Sequence, residues 1–353
     1  MITGGFAVAA GLLPPREVGA VSLDRRRLEG LIAAWRVKGF VDGAVLVARD
    51  GHPVFRGAYG FADRARAVPS WVDAAFRVGS ITKSFTAAAI LMLAQDGRLT
   101  LDDPIRQTFP EAPPGWNEVT LRHLLTHTSG IVNFTRLSGW DDRRWVGKSV
   151  EDLVALVRDQ PLESVPGRKV SYDNTGYVLL GGVVARVCGR TLAEVFESRI
   201  FIPLGLRHTG FVTDHGLPGR ALGAIRDGSA WRATTWMSNI RESGAGALYS
   251  TVDDLLKWDR ALHGRRLLSP PSQALMFTDQ GGGFGFGWVV SVQDGRRVWW
   301  HNGHVEGYGA IIARYPDDGL TIIVLSNDDD APVEALSRDI AAAWLRRRDL
   351  ATL

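Results

Sequence analysis

The chain has 353 residues, of which 45% are apolar and 22% charged, with a formal net charge of +3. Those values suit a folded protein of one large two-lobed domain or two ordinary ones, and they exclude a disordered or fibrous chain. The small, dispersed charge leaves no footprint for nucleic acid: Arg25-Arg26-Arg27 and Arg346-Arg347-Arg348 fall on terminal helices, which they solvate. The single cysteine, Cys188, has no intrachain partner and reads as a small buried side chain. No Cys/His spacing suggests zinc, so neither a metal nor an organic cofactor is implied. An apolar run at residues 6–13 is too short to span a membrane and reads as an irregular arm. The expectation is a soluble protein, cytoplasmic rather than periplasmic or secreted, with its oligomeric state open.

Ser22 can cap a helix over residues 23–37, with Leu28, Leu31, Ile32 and Trp35 as its apolar face. Strand-like runs at 43–48 and 54–59 follow, joined through Asp50-Gly51, a tight-hairpin signal. Next comes Val78-Gly79-Ser80-Ile81-Thr82-Lys83, at the mouth of an apolar helical run that stops at Gly97. From there to about residue 240 the signals are helical. Thr120, Ser149 and Thr191 stand at helix starts, and Asp152 and Glu194 take the closing positions of capping boxes. Thr251 caps a further helix. Strand-like runs resume at 284–292, 297–302, 309–315 and 320–325, and a helix over 333–347 closes the chain.

Hairpins at both ends with helices between predict an α+β fold. One antiparallel sheet of about five strands would be built from the two ends of the chain, with the first and last helices on one face. Residues 20–95 and 245–353 would form this sheet lobe, and 96–244 an inserted helical lobe, with a cleft between them.

Three short elements carry chemistry. Ser80-x-x-Lys83 places a hydroxyl and an amine on one face of a first helical turn, where unpaired N–H groups and the helix dipole favour a developing oxyanion. On spacing alone it is more easily read as a helix cap and a solvated first-turn lysine. Only five of the 41 basic residues are lysines, however, and lysine can be deprotonated where arginine cannot. Tyr172-x-Asn174 offers a phenol that can pass a proton and an amide that can both donate and accept. In isolation the pair reads as a turn tyrosine and a helix cap. His301-Asn302-Gly303-His304 ends a strand where backbone can pass close to something. The His304 N–H could complete an oxyanion hole with that of Ser80, although a bulge with two surface histidines is the plainer reading.

In this order and at these separations, Ser-x-x-Lys, Tyr-x-Asn and His-x-Gly resemble the signature of the class C β-lactamase-like serine hydrolases, which include β-lactamases, DD-carboxypeptidases, D-aminopeptidases and esterases. The stretch from Leu121-Arg122-His123-Leu124-Leu125 to His127-Thr128-Ser129-Gly130 and the run Gly244-Ala245-Gly246-Ala247-Leu248 are similar as well. The resemblance covers roughly residues 25 to 345. It implies a β-lactamase/transpeptidase-like fold with Ser80 as nucleophile and Lys83 as its activating partner. Tyr172 would be the general base and acid, Asn174 the group that holds the acyl amide, and the N–H groups of Ser80 and His304 the oxyanion hole. Whether Lys83 or Tyr172 takes the first proton stays open.

One departure concerns specificity. Class C β-lactamases carry Lys-Thr-Gly where this chain has His301-Asn302-Gly303, and a mostly neutral histidine suits a substrate carboxylate less well. The implied activity is therefore esterase first, with D-amino-acid peptidase or DD-carboxypeptidase, weak β-lactamase, acyl transfer and a non-catalytic penicillin-binding scaffold as alternatives. The partners implied are small esters, amides or short peptides. Trp140, Trp145 and Trp236 fall near the expected cleft and could line it, Trp236 as a substrate contact. Ser129 reads as a helix-end turn.

Overall fold

The computed structural model describes residues 15–139, 148–212, 219–228, 230–234, 243–264 and 266–351. Its main sheet has seven strands: β1 (Gly43–Arg49), β2 (His52–Tyr59), β3 (Phe284–Gly285), β4 (Trp288–Gln293), β5 (Arg296–Val305), β6 (Tyr308–Tyr315) and β7 (Leu320–Ser326). They pair in the order β3-β4-β5-β6-β7-β1-β2, each neighbour antiparallel. The two ends of the chain meet where β1 pairs β7, with Ala44 opposite Leu325 and Arg49 opposite Leu320. The sheet exceeds the expected count of about five because all six strand-like runs join it and the run at 284–292 breaks into two strands at Gly287, whose φ of +76° makes a turn.

Side chains alternate across a strand, so both faces of this sheet can carry a core. Ala44, Leu46, Ile312, Ile323 and Leu325 point to one apolar cluster, and Val45, Val47, Ile311, Ile322 and Val324 to the other. The second cluster is covered by α1 (Pro15–Val37) and by α5 (Val333–Ala351), through Leu28, Ile32, Leu336 and Ile340. The Trp35 indole N–H ties the two helices together by donating to Asp339 at 3.0 Å. The first helix starts earlier than expected: it runs back to Pro15, which tolerates a first helical position, so Ser22 lies inside it and does not cap it.

The first cluster holds α2 (Thr82–Gln95), α3 (Asn174–Cys188) and α4 (Val252–His263). Every residue of α2 from Thr82 to Leu93 is buried, and from Ala87 onward this stretch is apolar all round, as a helix enclosed in a core is. Phe85 of α2 stacks on Trp258 of α4 with ring centroids 4.0 Å apart, and the Trp258 indole N–H donates to Ser84 Oγ at 3.0 Å. The caps at Thr120, Ser149, Thr191 and Thr251 form as their spacing predicts.

The inserted segment is not all helical. Gly210–Phe211 joins a small sheet with Phe76–Arg77 and Leu248–Ser250, and Ala224–Asp227 pairs with Ala230–Ala233 as a hairpin. Trp231 of that hairpin packs under two guanidinium groups, Arg64 at 4.1 Å and Arg226 at 4.8 Å. Cys188 is half-buried rather than buried, with the Arg98 guanidinium 3.7 Å from its sulfur. Among the described residues no helix is long and apolar enough to cross a membrane. The apolar run at 6–13 lies outside the described residues.

Removing the Trp258 side chain would leave a cavity behind α2 and take away the indole N–H that donates to Ser84 Oγ, whose own hydrogen bond to the Ile81 carbonyl at 2.8 Å remains. Trp258→Ala is expected to lower the unfolding free energy by about 3–5 kcal/mol, read from urea denaturation, and Trp258→Phe by less because the stacking on Phe85 survives.

Candidate active site

Gly79–Ile81 forms a single 3₁₀ turn that runs into α2, so Ser80 lies just ahead of the α-helix and Lys83 in its first turn. The Ser80 side chain is half-buried, whereas Lys83 is wholly buried. Lys83 Nζ lies 3.0 Å from Ser80 Oγ, 2.8 Å from Asn174 Oδ1 and 2.8 Å from the Ala245 carbonyl oxygen. The last two oxygens can only accept. A neutral amine therefore spends both hydrogens on them and turns its lone pair to the Ser80 hydroxyl. Burial favours this state: it brings the Lys83 pKa down to about 7, with the Asp173 carboxylate opposing the shift.

Tyr172 sits in the loop before α3, its hydroxyl hydrogen-bonded to Ser80 and its ring centroid 4.9 Å from Lys83 Nζ. Burial raises its pKa above the ordinary phenol range, and the bond to Ser80 opposes this, so the phenol is protonated at neutral pH. Asp173, not Asn174, caps α3: its carboxylate accepts from Thr175 N at 2.7 Å and Gly176 N at 3.0 Å. That leaves the Asn174 amide free to face Lys83. Burial lifts the Asp173 pKa to about 7, against the pull of these amides and Lys83.

The His-x-Gly element lies on β5, with alternate residues on opposite faces. Gly303 is pressed against the 3₁₀ turn. A Cβ there would lie 1.9 Å from the Val78 carbonyl oxygen and 3.1 Å from Ser80 N, and one on Gly79 would lie 2.9 Å from His304 N. The backbone amides of Ser80 and His304 are thus brought to one spot, which only glycines permit. The His304 side chain turns away, 62% exposed, with Nε2 3.3 Å from Asp329. Asn302 faces the opposite side of the sheet and donates to Glu334 on α5 at 2.6 Å.

His301 is 2% exposed, its ring centroid 6.2 Å from that of Tyr172, so it stands behind the phenol. Nδ1–H donates to the Asn302 carbonyl at 2.6 Å, which leaves Nε2 as an acceptor; it finds no partner among the described residues. Burial, then Lys83, brings the His301 pKa down to about 3.

Ser80 opens on a cavity of about 340 Å³ whose wall includes Phe134, Thr135, Asn174, Ala245 and His304, and whose charges are Arg77, Glu306 and Asp329. Trp236, like Trp140 and Trp145, lies outside the described residues. The remaining predicted residues converge, His304 through its backbone and His301 from behind. Sequence reading missed Asp173, His127 and the Ala245 carbonyl. Asp173 was visible as an acid between Tyr172 and Asn174, and His127 stood in a quoted stretch, but no spacing rule links either to Lys83 or Tyr172. Ser129 does more than end a helix: buried, it donates to Asp173 Oδ2 at 3.4 Å.

This fold and this constellation define a serine hydrolase of the β-lactamase and penicillin-binding type. The beta-lactamase family model matches residues 30–344, and the chain belongs to that family. Esterase EstB of Burkholderia gladioli is 30% identical over 378 residues, covering 90% of this chain and 94% of the esterase. A penicillin binding protein from Bacillus halodurans superposes with a TM-score of 0.78 at 27% identity, covering 90% of this chain and 98% of its own. The D-amino acid amidase from Ochrobactrum anthropi, solved with D-phenylalanine, gives 0.78 at 25% identity, covering 93% and 99%.

The contact at Gly303 makes a specific demand. Gly303→Ala forces β5 off the 3₁₀ turn and parts the two amides, so reaction of the enzyme with a fluorophosphonate is expected to slow by about 10²-fold or more. Labelling at the unaltered rate would break the link between this contact and an oxyanion site.

Proposed function

We propose that this chain is a carboxylesterase that works through an acyl-enzyme on Ser80. The observation that carries the proposal is the hydrogen-bonded cluster of Ser80, Lys83 and Tyr172, opening on a cavity beside two converging backbone amides. Ser80 Oγ attacks the ester carbonyl while its proton passes to neutral Lys83. The oxyanion rests on the N–H groups of Ser80 and His304. Collapse of the tetrahedral intermediate breaks the bond to the alkoxide, which takes the Tyr172 proton, and the phenolate is reprotonated from the Lys83 ammonium. Water then attacks the acyl-enzyme along the same proton path and releases the acid. Lys83 is the first acceptor in this scheme because its lone pair faces Ser80 and its pKa lies near 7, whereas burial keeps Tyr172 protonated.

The ester preference rests on position 301. Its imidazole is buried and neutral, so no fixed cation stands there for a substrate carboxylate, and the similarity to EstB points the same way. A second reading, hydrolysis of a D-amino acid amide, is favoured by the Glu306 and Asp329 carboxylates on the cavity wall, which suit an ammonium group, and by the likeness to the amidase.

A chromogenic panel of p-nitrophenyl butyrate, a D-alanyl anilide and nitrocefin separates the readings. The ester is expected to turn over fastest, and Ser80→Ala to abolish turnover with an unchanged melting temperature. An equally active Ser80→Ala enzyme would sink the acyl-enzyme, and preference for the anilide would move the assignment to the amidase reading.

The base must be deprotonated, so kcat/KM is expected to fall with acid through about pH 7, following Lys83. Asp173 raises the Lys83 pKa; Asp173→Asn should therefore move this limb to lower pH. A limb that stays put or moves up would contradict the coupling.

A further inference from the structure

His127 is a residue that the scheme above does not use, yet the structure ties it to Tyr172 in three ways. Its carbonyl oxygen accepts from Ser171 N at 2.8 Å. Its ring Nδ1 accepts from Asp173 N at 3.1 Å. Its ring packs face to face on the Tyr172 ring, tilted by 33°, with centroids 4.6 Å apart. One residue thus grips the backbone on both sides of the phenol and the phenol ring itself. The grip is firmly seated: His127 is 3% exposed, and Tyr177 and Phe284 pack on its ring at 5.1 and 5.0 Å.

The backbone at His127 has φ +58°, a left-handed conformation uncommon outside glycine that histidine, like asparagine and aspartate, adopts more often than other side chains. It presents the carbonyl and Nδ1 of one residue to the two amides that flank Tyr172. Nδ1 must carry a lone pair to accept from Asp173, so the imidazole is neutral with its hydrogen on Nε2. Burial and the neighbouring Lys83 and His301 also disfavour the imidazolium.

We propose that His127 is a positioning residue that holds the Tyr172 hydroxyl on Ser80, and that it acts on turnover only through Tyr172. This rests on the reading of Tyr172 as the proton donor to the leaving group. A phenol displaced by the loss of its support keeps its substrate-binding surroundings but no longer lines up with Ser80 and the leaving oxygen. The loss falls on kcat, by about 10²-fold, with KM little changed.

The test is a double-mutant cycle on the full chain with p-nitrophenyl butyrate. His127→Asn tolerates the positive φ and keeps an acceptor for Asp173 N but removes the stacked ring; His127→Gly suits the backbone and removes both. Each is made alone and with Tyr172→Phe, and each is checked by its melting temperature. The expected result is a kcat loss of about 10²-fold for His127→Gly and a smaller one for His127→Asn in the native background. In the Tyr172→Phe background either change should cost less than about twofold, because the group they serve is gone. Equal losses in both backgrounds, or a loss in KM alone, would overturn the positioning role. Tyr172→Phe with native kcat is a separate outcome: it would remove Tyr172 from the mechanism and the positioning role with it. If His127→Gly does not fold, His127→Asn still decides between coupled and uncoupled losses.

Discussion

The burial of Lys83 is the constraint on which the site depends. An amine taken wholly out of water must find oxygen acceptors or lose its charge. Three elements distant in sequence meet it: α3 and the strand-entry loop supply acceptors through Asn174 Oδ1 and the Ala245 carbonyl, and the 3₁₀ turn brings the Ser80 hydroxyl to its lone pair. Each arrives by its own support. Asp173 takes over the capping of α3 and so frees Asn174. Thr86, one turn along α2 from Lys83, donates to the Gly244 carbonyl at 2.7 Å and sets the next carbonyl, that of Ala245, on Nζ. Gly244 has no room for a side chain, since a Cβ would lie 2.6 Å from the Tyr177 carbonyl oxygen and 3.1 Å from Gly181 Cα. The packing of α2, α3 and this loop is therefore also the wiring of the amine.

The sheet contributes from the other side. Residues of β5 alternate between faces, so Gly303 is free to meet the 3₁₀ turn while Asn302 faces α5. The close approach brings the two amides together. The pairing of β5 with β4 ends at Trp300, so at Gly303 and His304 it is the ladder to β6 that holds the strand against the turn.

Much of this was legible in the chain. The buried strands alternate between two apolar clusters, and the caps at Thr120, Ser149, Thr191 and Thr251 announce their helices. Tyr172, Asn174 and Gly303 are short-motif residues whose order, with Ser80-x-x-Lys83, is distinctive. What was hidden depends on approach in space. Gly287 divides an apparent single strand, and the pairing of Ala224–Asp227 with Ala230–Ala233 hides within a segment of helical appearance despite its Asp227-Gly228 turn. Asp173 and His127 are separated by 46 positions and meet only because Asp173 N finds His127 Nδ1. The missing signal is tertiary, since neither residue has a local pattern that sets it apart from a capping acid and a turn histidine.

The electrostatics explain why position 301 and the lysine must be considered together. Lys83, His127 and His301 are three protonatable groups in one buried neighbourhood, and Asp173 is the carboxylate that faces Lys83. Each imidazole is driven to the neutral form first by burial and then by its neighbours, Lys83 foremost. Lys83, the group in contact with Ser80, is the one that burial brings to about 7, with Asp173 opposing the shift. A fixed cation at 301 would push Lys83 further toward its neutral form. Neutral histidine at 301 thus leaves the lysine free to gain and release a proton near neutral pH, as the base of the proposed scheme must.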